Sequence, residues 1–229
     1  MSPAYLIGSA GFVLIWLALW FPAGTMRRTV MLQVSAITAV TGLLEPLFKY
    51  VYWDPPSLFD LNKHIGFDIE SVVFSFAAGG IVAAIYTALV ATRGTTLIER
   101  PSSRRFHLYT LLVPIPVFAV VVMATKVNPI YSAIVALLAG AVAICVLQPA
   151  LTPKILLAGF LFTGLYLACF VVFTTAFPQY LLQVWNLRAL SGVMFAGVPV
   201  EELLFAFSYG AMYSSVAEYF FAKIASKAS

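Results

Sequence analysis

Charge is scarce in this sequence. Thirteen basic and nine acidic residues make up 10% of the 229 positions, against 62% hydrophobic residues. An ordinary soluble domain is excluded, because the chain has too little polar surface to face water. Cysteine is nearly absent. Cys145 and Cys169 both fall inside apolar runs, where they read as reduced thiols that pack as small hydrophobes. Two histidines, His64 and His107, are too few for a histidine-rich di-iron desaturase. No Asp-Asp-x-x-Asp motif is present, which argues against a magnesium–diphosphate prenyltransferase. No Gly-x-Gly-x-x-Gly fingerprint is present to hold a flavin or nicotinamide. The last apolar run has no lysine well inside it, since Lys223 stands at its very end; that argues against a retinal protein. Neither a cofactor nor a metal is expected.

What the chain does have is length of apolar sequence. Runs of about 20 apolar residues recur, each long enough to cross a bilayer as a helix. The fold class expected is an all-α, polytopic membrane helical bundle in a single domain, residues 1–229. Seven spans are expected, near 4–22, 29–50, 66–92, 107–125, 128–147, 153–176 and 197–222. The first lacks a basic leader and runs too long for a typical signal peptide. Arg27, Arg28, Arg93, Arg100, Arg104, Arg105, Lys154, Lys223 and Lys227 fall in one set of loops; Lys49, Lys63, Lys126 and Arg188 fall in the other. The richer set belongs in the cytoplasm. The N-terminus is then outside the cell (inner) membrane and the C-terminus inside, as an odd number of spans requires. The net charge of +4 comes from this basic fringe, whose expected partners are membrane lipids rather than nucleic acid.

The chain also repeats itself. "GFDIESVVFSFAAGG", Gly66 to Gly80, aligns without a gap on "GVPVEELLFAFSYGA", Gly197 to Ala211. Gly66 matches Gly197, Glu70 matches Glu201, Phe74 matches Phe205, Phe76 matches Phe207 and Gly79 matches Gly210. Upstream, Pro46 and Trp53 match Pro178 and Trp185 with one residue of slippage. Both copies enter the membrane from the outer side, so the repeat is parallel. The plan is three spans, one linking span, then three: a first module at 1–92, a linker at 93–126 and a second module at 127–229. Parallel repeats are related by an axis along the membrane normal, with the site near their interface. Glu70 and Glu201 are expected to face one another there. Each lies four residues beyond its glycine, about 6 Å along a helix at ~1.5 Å per residue. Glu45 approaches the same level, with Asp68 and Glu202 nearby.

A carboxylate in lipid is costly, so such residues usually face a bundle interior and mark function. Burial disfavours the charged form of a carboxyl, so a buried acid can keep its proton. Such an acid can protonate a poor base, and a second, ionised carboxyl can take a proton or steady a cation. Successive helical positions point about 100° apart. Glu201 shares a face with Phe205, as Glu70 does with Phe74, so Glu201 is expected in the cavity. Glu202 is expected to one side, bonded to helix-start amides. Ordinary helix-start capping is the competing reading for these acids, most evenly balanced for Asp68 and Glu202. Trp53, Phe74, Phe76, Trp185, Phe205, Phe207 and Tyr209 gather towards the same membrane side. Ring faces attract cations, which suits carbocation chemistry on a lipophilic isoprenoid. Membrane-belt packing is the competing reading for the two tryptophans. The alternative function is a proton-coupled membrane transporter or carrier using the same glutamates.

The stretch "PVEELLF", Pro199 to Phe205, with Trp185 upstream, resembles the integral-membrane, flavin-independent, two-module lycopene cyclase family. Its modules carry Pro-x-Glu-Glu followed by Phe, with a Trp upstream. The first module departs from this pattern: "DIESVVF" has Asp68 in place of Pro and Ser71 in place of the second Glu, so only Glu70 and Phe74 carry over. The resemblance implies a redox-neutral ring closure of lycopene ends to β-rings. Glu201 and Glu70 would be the acid and base in either order, Glu202 and Glu45 would be supporting acids, and no cofactor would be needed.

Overall fold

A computed structural model describes residues 4–57, 61–90, 109–214 and 216. Arg93, Arg100, Arg104, Arg105, His107, Lys223 and Lys227 lie outside them, as do the far ends of the third and seventh expected spans. Among the described residues the chain forms nine α-helices: α1 Ala4–Trp20, α2 Thr25–Gly42, α3 Asn62–Ile65, α4 Ile69–Leu89, α5 Pro114–Ala124, α6 Pro129–Leu147, α7 Thr152–Ala176, α8 Tyr180–Val184 and α9 Val200–Ser214. The described residues are mostly helical, with one small hairpin, β1 Met194–Phe195 with β2 Val198–Pro199.

Local chemistry sets the helix starts. Proline occupies the first turn of α5, α6 and α7, where its missing N–H is not needed. Asn128 caps α6, its side chain accepting from the Ile130 amide at 3.2 Å. The hairpin turns through Ala196 and Gly197, at φ 51° and 78°, the paired left-handed geometry of a tight two-residue turn. It delivers the chain directly into α9.

Three helical stretches are long and apolar enough to cross a bilayer: Ile69–Leu89, Pro129–Leu147 and Pro149–Ala176. Ala4–Trp20 and Tyr109–Ala124 are apolar but shorter. Large apolar side chains point outward along the bundle. Leu14, Leu89, Val146, Phe160 and Val172 are 64% to 70% exposed, a surface matched to hydrocarbon rather than water. The protein is a membrane protein.

Between lipid-facing helices, attraction comes from close packing and interhelical hydrogen bonds rather than from expelling water. The sequence supplies both. α4 packs chiefly on α2 and next on α1; α9 packs chiefly on α7 and next on α6. A Cβ on Gly79 would fall 1.9 Å from Thr38 Oγ1, and one on Gly210 would fall 3.0 Å from Phe162 Cβ. Thr38 donates across the first of these contacts to the Ser75 carbonyl at 2.8 Å. Trp16 Nε1 donates to Ser35 Oγ at 3.0 Å, joining α1 to α2. Phe162, Ile81, Met31, Ile155 and Met212 fill the core between these pairs.

Candidate active site

The site is built where two loops meet. The segment after α2 and the segment after α8 exchange backbone hydrogen bonds: Asp54 N–H donates to Val184 O, and Asn186 N–H to Tyr52 O, each at 2.9 Å. Trp53 and Trp185 sit opposite one another in this exchange, with ring centroids 5.6 Å apart. Tyr5 meets Trp53 edge-on at 5.1 Å, and Phe170 meets Trp185 edge-on at 5.5 Å. The two tryptophans, each half-buried, thus pack on one another and on rings of α1 and α7.

Glu202 lies against this pair and is buried. Its Oε1 accepts from Trp185 Nε1 at 2.7 Å and from the Tyr52 hydroxyl; its Oε2 accepts from the Tyr166 hydroxyl at 2.5 Å. Tyr52 comes from the loop before α3, Tyr166 from the middle of α7. The expectation of helix-start amide partners for Glu202 is thus overturned. The first turn of α9 aims this side chain inward, where three ring-borne donors meet it.

Glu201 points about a quarter-turn away. Its Oε1 accepts from the Tyr131 hydroxyl at 2.7 Å and the Ser191 amide at 2.8 Å, while Oε2 is buried without a partner. Ser191 belongs to the exposed stretch 191–197, so Glu201 sits beneath a surface loop. Glu70, 1% exposed, lies in the first turn of α4. Ser9 of α1 donates to its carbonyl at 3.3 Å, and Tyr5 and Tyr180 lie within electrostatic reach of its carboxyl. One turn on, Phe74 contacts Phe12 at 4.7 Å and Tyr166 at 6.5 Å. The rings of Tyr5, Trp53, Trp185 and Tyr180 form one cluster, with Glu202 bonded to Trp185 and Glu70 within electrostatic reach of Tyr5 and Tyr180.

Asp68 and Glu45 have another setting. Asp68 is fully buried, with Lys49 Nζ at 2.9 Å and Ser57 Oγ at 2.5 Å on its two oxygens. Glu45 Oε2 accepts from the Asp68 amide at 2.7 Å. Asp68 precedes α4 in extended backbone, yet its side chain makes no cap bond. These groups clamp the α2–α3 loop to the start of α4. Among the described residues, no three His, Cys, Asp or Glu side chains converge as a metal site would need.

The other aromatic candidates divide. Phe205 packs on Tyr209 at 5.8 Å, and Tyr209 donates to the Ser75 carbonyl at 3.3 Å, tying α9 to α4. Phe76 rests on Trp16 and Phe207 on the exposed Phe160; neither ring is among those around Glu202. Sequence reasoning missed Tyr5, Tyr131, Tyr166 and Tyr180. The signal was available. A tyrosine inside an apolar helix carries a hydroxyl that usually finds a partner when buried; Tyr131 and Tyr166 find Glu201 and Glu202 and Tyr5 finds Ser71, while the Tyr180 hydroxyl has no hydrogen-bond partner.

No curated protein and no solved structure gives a significant match to the chain. Residues 128–220 match the family model described as lycopene cyclase. That stretch contains Tyr131, Tyr166, Trp185, Glu201 and Glu202, so the part of the chain that supplies the Glu202 carboxylate and two of its three donors is the part that is similar to lycopene cyclases.

Proposed function

We propose that this protein is a membrane carotenoid cyclase that closes the ends of lycopene to β-rings without redox chemistry. The observation that carries the reading is the enclosure of Glu202 by Tyr52, Tyr166 and Trp185, beside an aromatic cluster whose Tyr5 and Tyr180 lie within electrostatic reach of Glu70. Glu70 delivers a proton to the terminal double bond, whose π electrons form the new C–H bond. The tertiary cation is attacked by a second double bond, which closes a six-membered ring and moves the charge into it. Glu202 removes a neighbouring proton, and that C–H pair becomes the ring double bond. Atoms and electrons balance, and the product is an isomer of the substrate. Three donors suit Glu202 to hold negative charge opposite the cation, since an ionised carboxylate only accepts. The surrounding rings offer their faces to the same cation. Glu201, beneath the surface loop, stands at the rim of this centre. Asp68 and Glu45 position α4 rather than exchange protons.

The architecture that goes with this reading is seven spans in a parallel three-one-three repeat, with the N-terminus outside. Several features support it. Gly66 and Gly197 both hold positive φ, 89° and 78°, four residues before their glutamates. Gly79 and Gly210 both meet the preceding long helix at close range. The Trp53–Trp185 exchange maps onto itself when the halves are swapped, as a two-fold axis between the rings requires.

Expression in a lycopene-making host, with pigments separated by chromatography, tests the function. One- or two-ringed carotene is expected. Unchanged lycopene, with proton-linked solute uptake in vesicles, would instead identify a carrier.

A further inference from the structure

The two halves differ in a way that decides how many reaction centres the chain can hold. In the repeat on which the proposed function rests, Ser71 takes the place of Glu202. Ser71 is buried and shares a hydrogen bond with Tyr5. It offers a hydroxyl where its counterpart offers a carboxylate. The nearby acid, Glu45, accepts from the Asp68 amide through one oxygen and lies beside Ser71 and Tyr5, with none of the ring-borne donors that enclose Glu202. The second difference lies in the donor that crosses between halves. Tyr52 reaches from the first half to Glu202. The residue that replaces Tyr52 when the halves are swapped is Val184, which has no hydroxyl to give. The twin position therefore lacks both a carboxylate enclosed by three ring-borne donors and the cross-half hydroxyl.

We infer that the chain holds one reaction centre, built on Glu202, faced by Glu70 and completed across the halves by Tyr52. A polyene with two reactive ends is closed at one end per visit. The one-ringed carotene must leave, turn round and return before a second closure. Tyr52 is a positioning residue of the first half that donates to the carboxylate of the second, and the first half otherwise serves as the opposing wall.

The experiment uses the full chain in membranes, with lycopene and, separately, the one-ringed carotene as substrates. Glu202→Gln, Glu70→Gln and Tyr52→Phe are compared with the unaltered protein. With one centre, each substitution slows closure of both substrates by the same factor, within about twofold. With two centres, the one left intact by Glu202→Gln or Glu70→Gln would still act, so at least one substrate would keep about half its rate or more, and the inference would fall. A second measurement does not depend on any variant folding. Labelled lycopene is given to the unaltered protein, followed at once by a large unlabelled excess. Label held in the one-ringed carotene supports release between closures. Label passing undiluted into the two-ringed product overturns it. An unaltered protein that closes no ring at all refutes the proposed function itself, a separate result.

Discussion

Removing the Tyr166 hydroxyl is the sharpest single test of the Glu202 centre. Glu202 Oε1 has two donors, Tyr52 and Trp185, whereas Oε2 has Tyr166 alone. Tyr166→Phe keeps the ring, and with it the contacts to Phe12, Phe74, Phe162 and Phe170 at 5.9 to 6.5 Å. What it takes away is one short bond to a buried carboxylate. A hydrogen bond to a charged group contributes about 1.5–3 kcal/mol. If that stabilisation acts when the substrate carries its cation, ring closure slows by roughly ten- to a hundredfold, since about 1.4 kcal/mol is a factor of ten. Trp185→Phe leaves Oε1 still served by Tyr52, so its loss should be smaller, below about tenfold by the same conversion.

The assay is the initial rate of ring closure in isolated membranes, scaled to the amount of folded protein from fluorescence-detected gel filtration. Thermal stability of each variant is followed in parallel, because a buried donor also contributes to folding. The reasoning requires Tyr166→Phe to lose more rate than Trp185→Phe at comparable stability. A Tyr166→Phe protein with the unaltered rate and stability would show that Glu202 takes no part in the reaction.

The clamp at the start of α4 should behave as a structural ion pair. Lys49→Met strands the fully buried Asp68 charge and should cost about 3–5 kcal/mol, read as a drop in thermal stability in detergent; adding Asp68→Asn should recover most of it, and no recovery would refute the pairing. Gly79→Ala puts a methyl group 1.9 Å from Thr38 Oγ1 and should destabilise by about 1–3 kcal/mol. Thr38→Ala in the same chain should relieve part of that loss, whereas additive losses would mean that α2 and α4 do not meet there. Gly197→Val forces a β-branched residue to φ 78° and should cost about 1–3 kcal/mol. It should also loosen the loop that places the Ser191 amide on Glu201, and an unchanged melting temperature would contradict the turn.

The sequence made the helical class and the acid-bearing helix starts legible because both depend on short-range rules. Apolar runs report length, and Gly66 and Gly197 stand where the backbone turns left-handed. The roles of Glu201 and Glu202 were not legible. Adjacent helix positions must diverge, but nothing local says which one points inward. That choice is made by Tyr52, 150 residues away in the chain, and by Tyr166, 36 residues away. The pairing of Asp68 was not legible for the same reason, since its partner Lys49 lies in the preceding loop. In a water-soluble bundle, the apolar stripe of each helix would have oriented these side chains. Here lipid and core are both apolar, so the stripe carries no direction. What orients a helix is its small and polar residues, which must either fit against a neighbour or find a hydrogen-bond partner. On α4 these are Glu70, Ser71, Ser75 and Gly79, and each marks a face towards α1, α2 or the Trp pair. The tyrosines follow the same rule in part. Tyr52, Tyr131 and Tyr166 give their hydroxyls to Glu202 or Glu201, whereas Tyr5 shares one with Ser71, Tyr209 donates to the Ser75 carbonyl and the buried Tyr180 hydroxyl has no hydrogen-bond partner, so a tyrosine hydroxyl points to an acid in half of these cases.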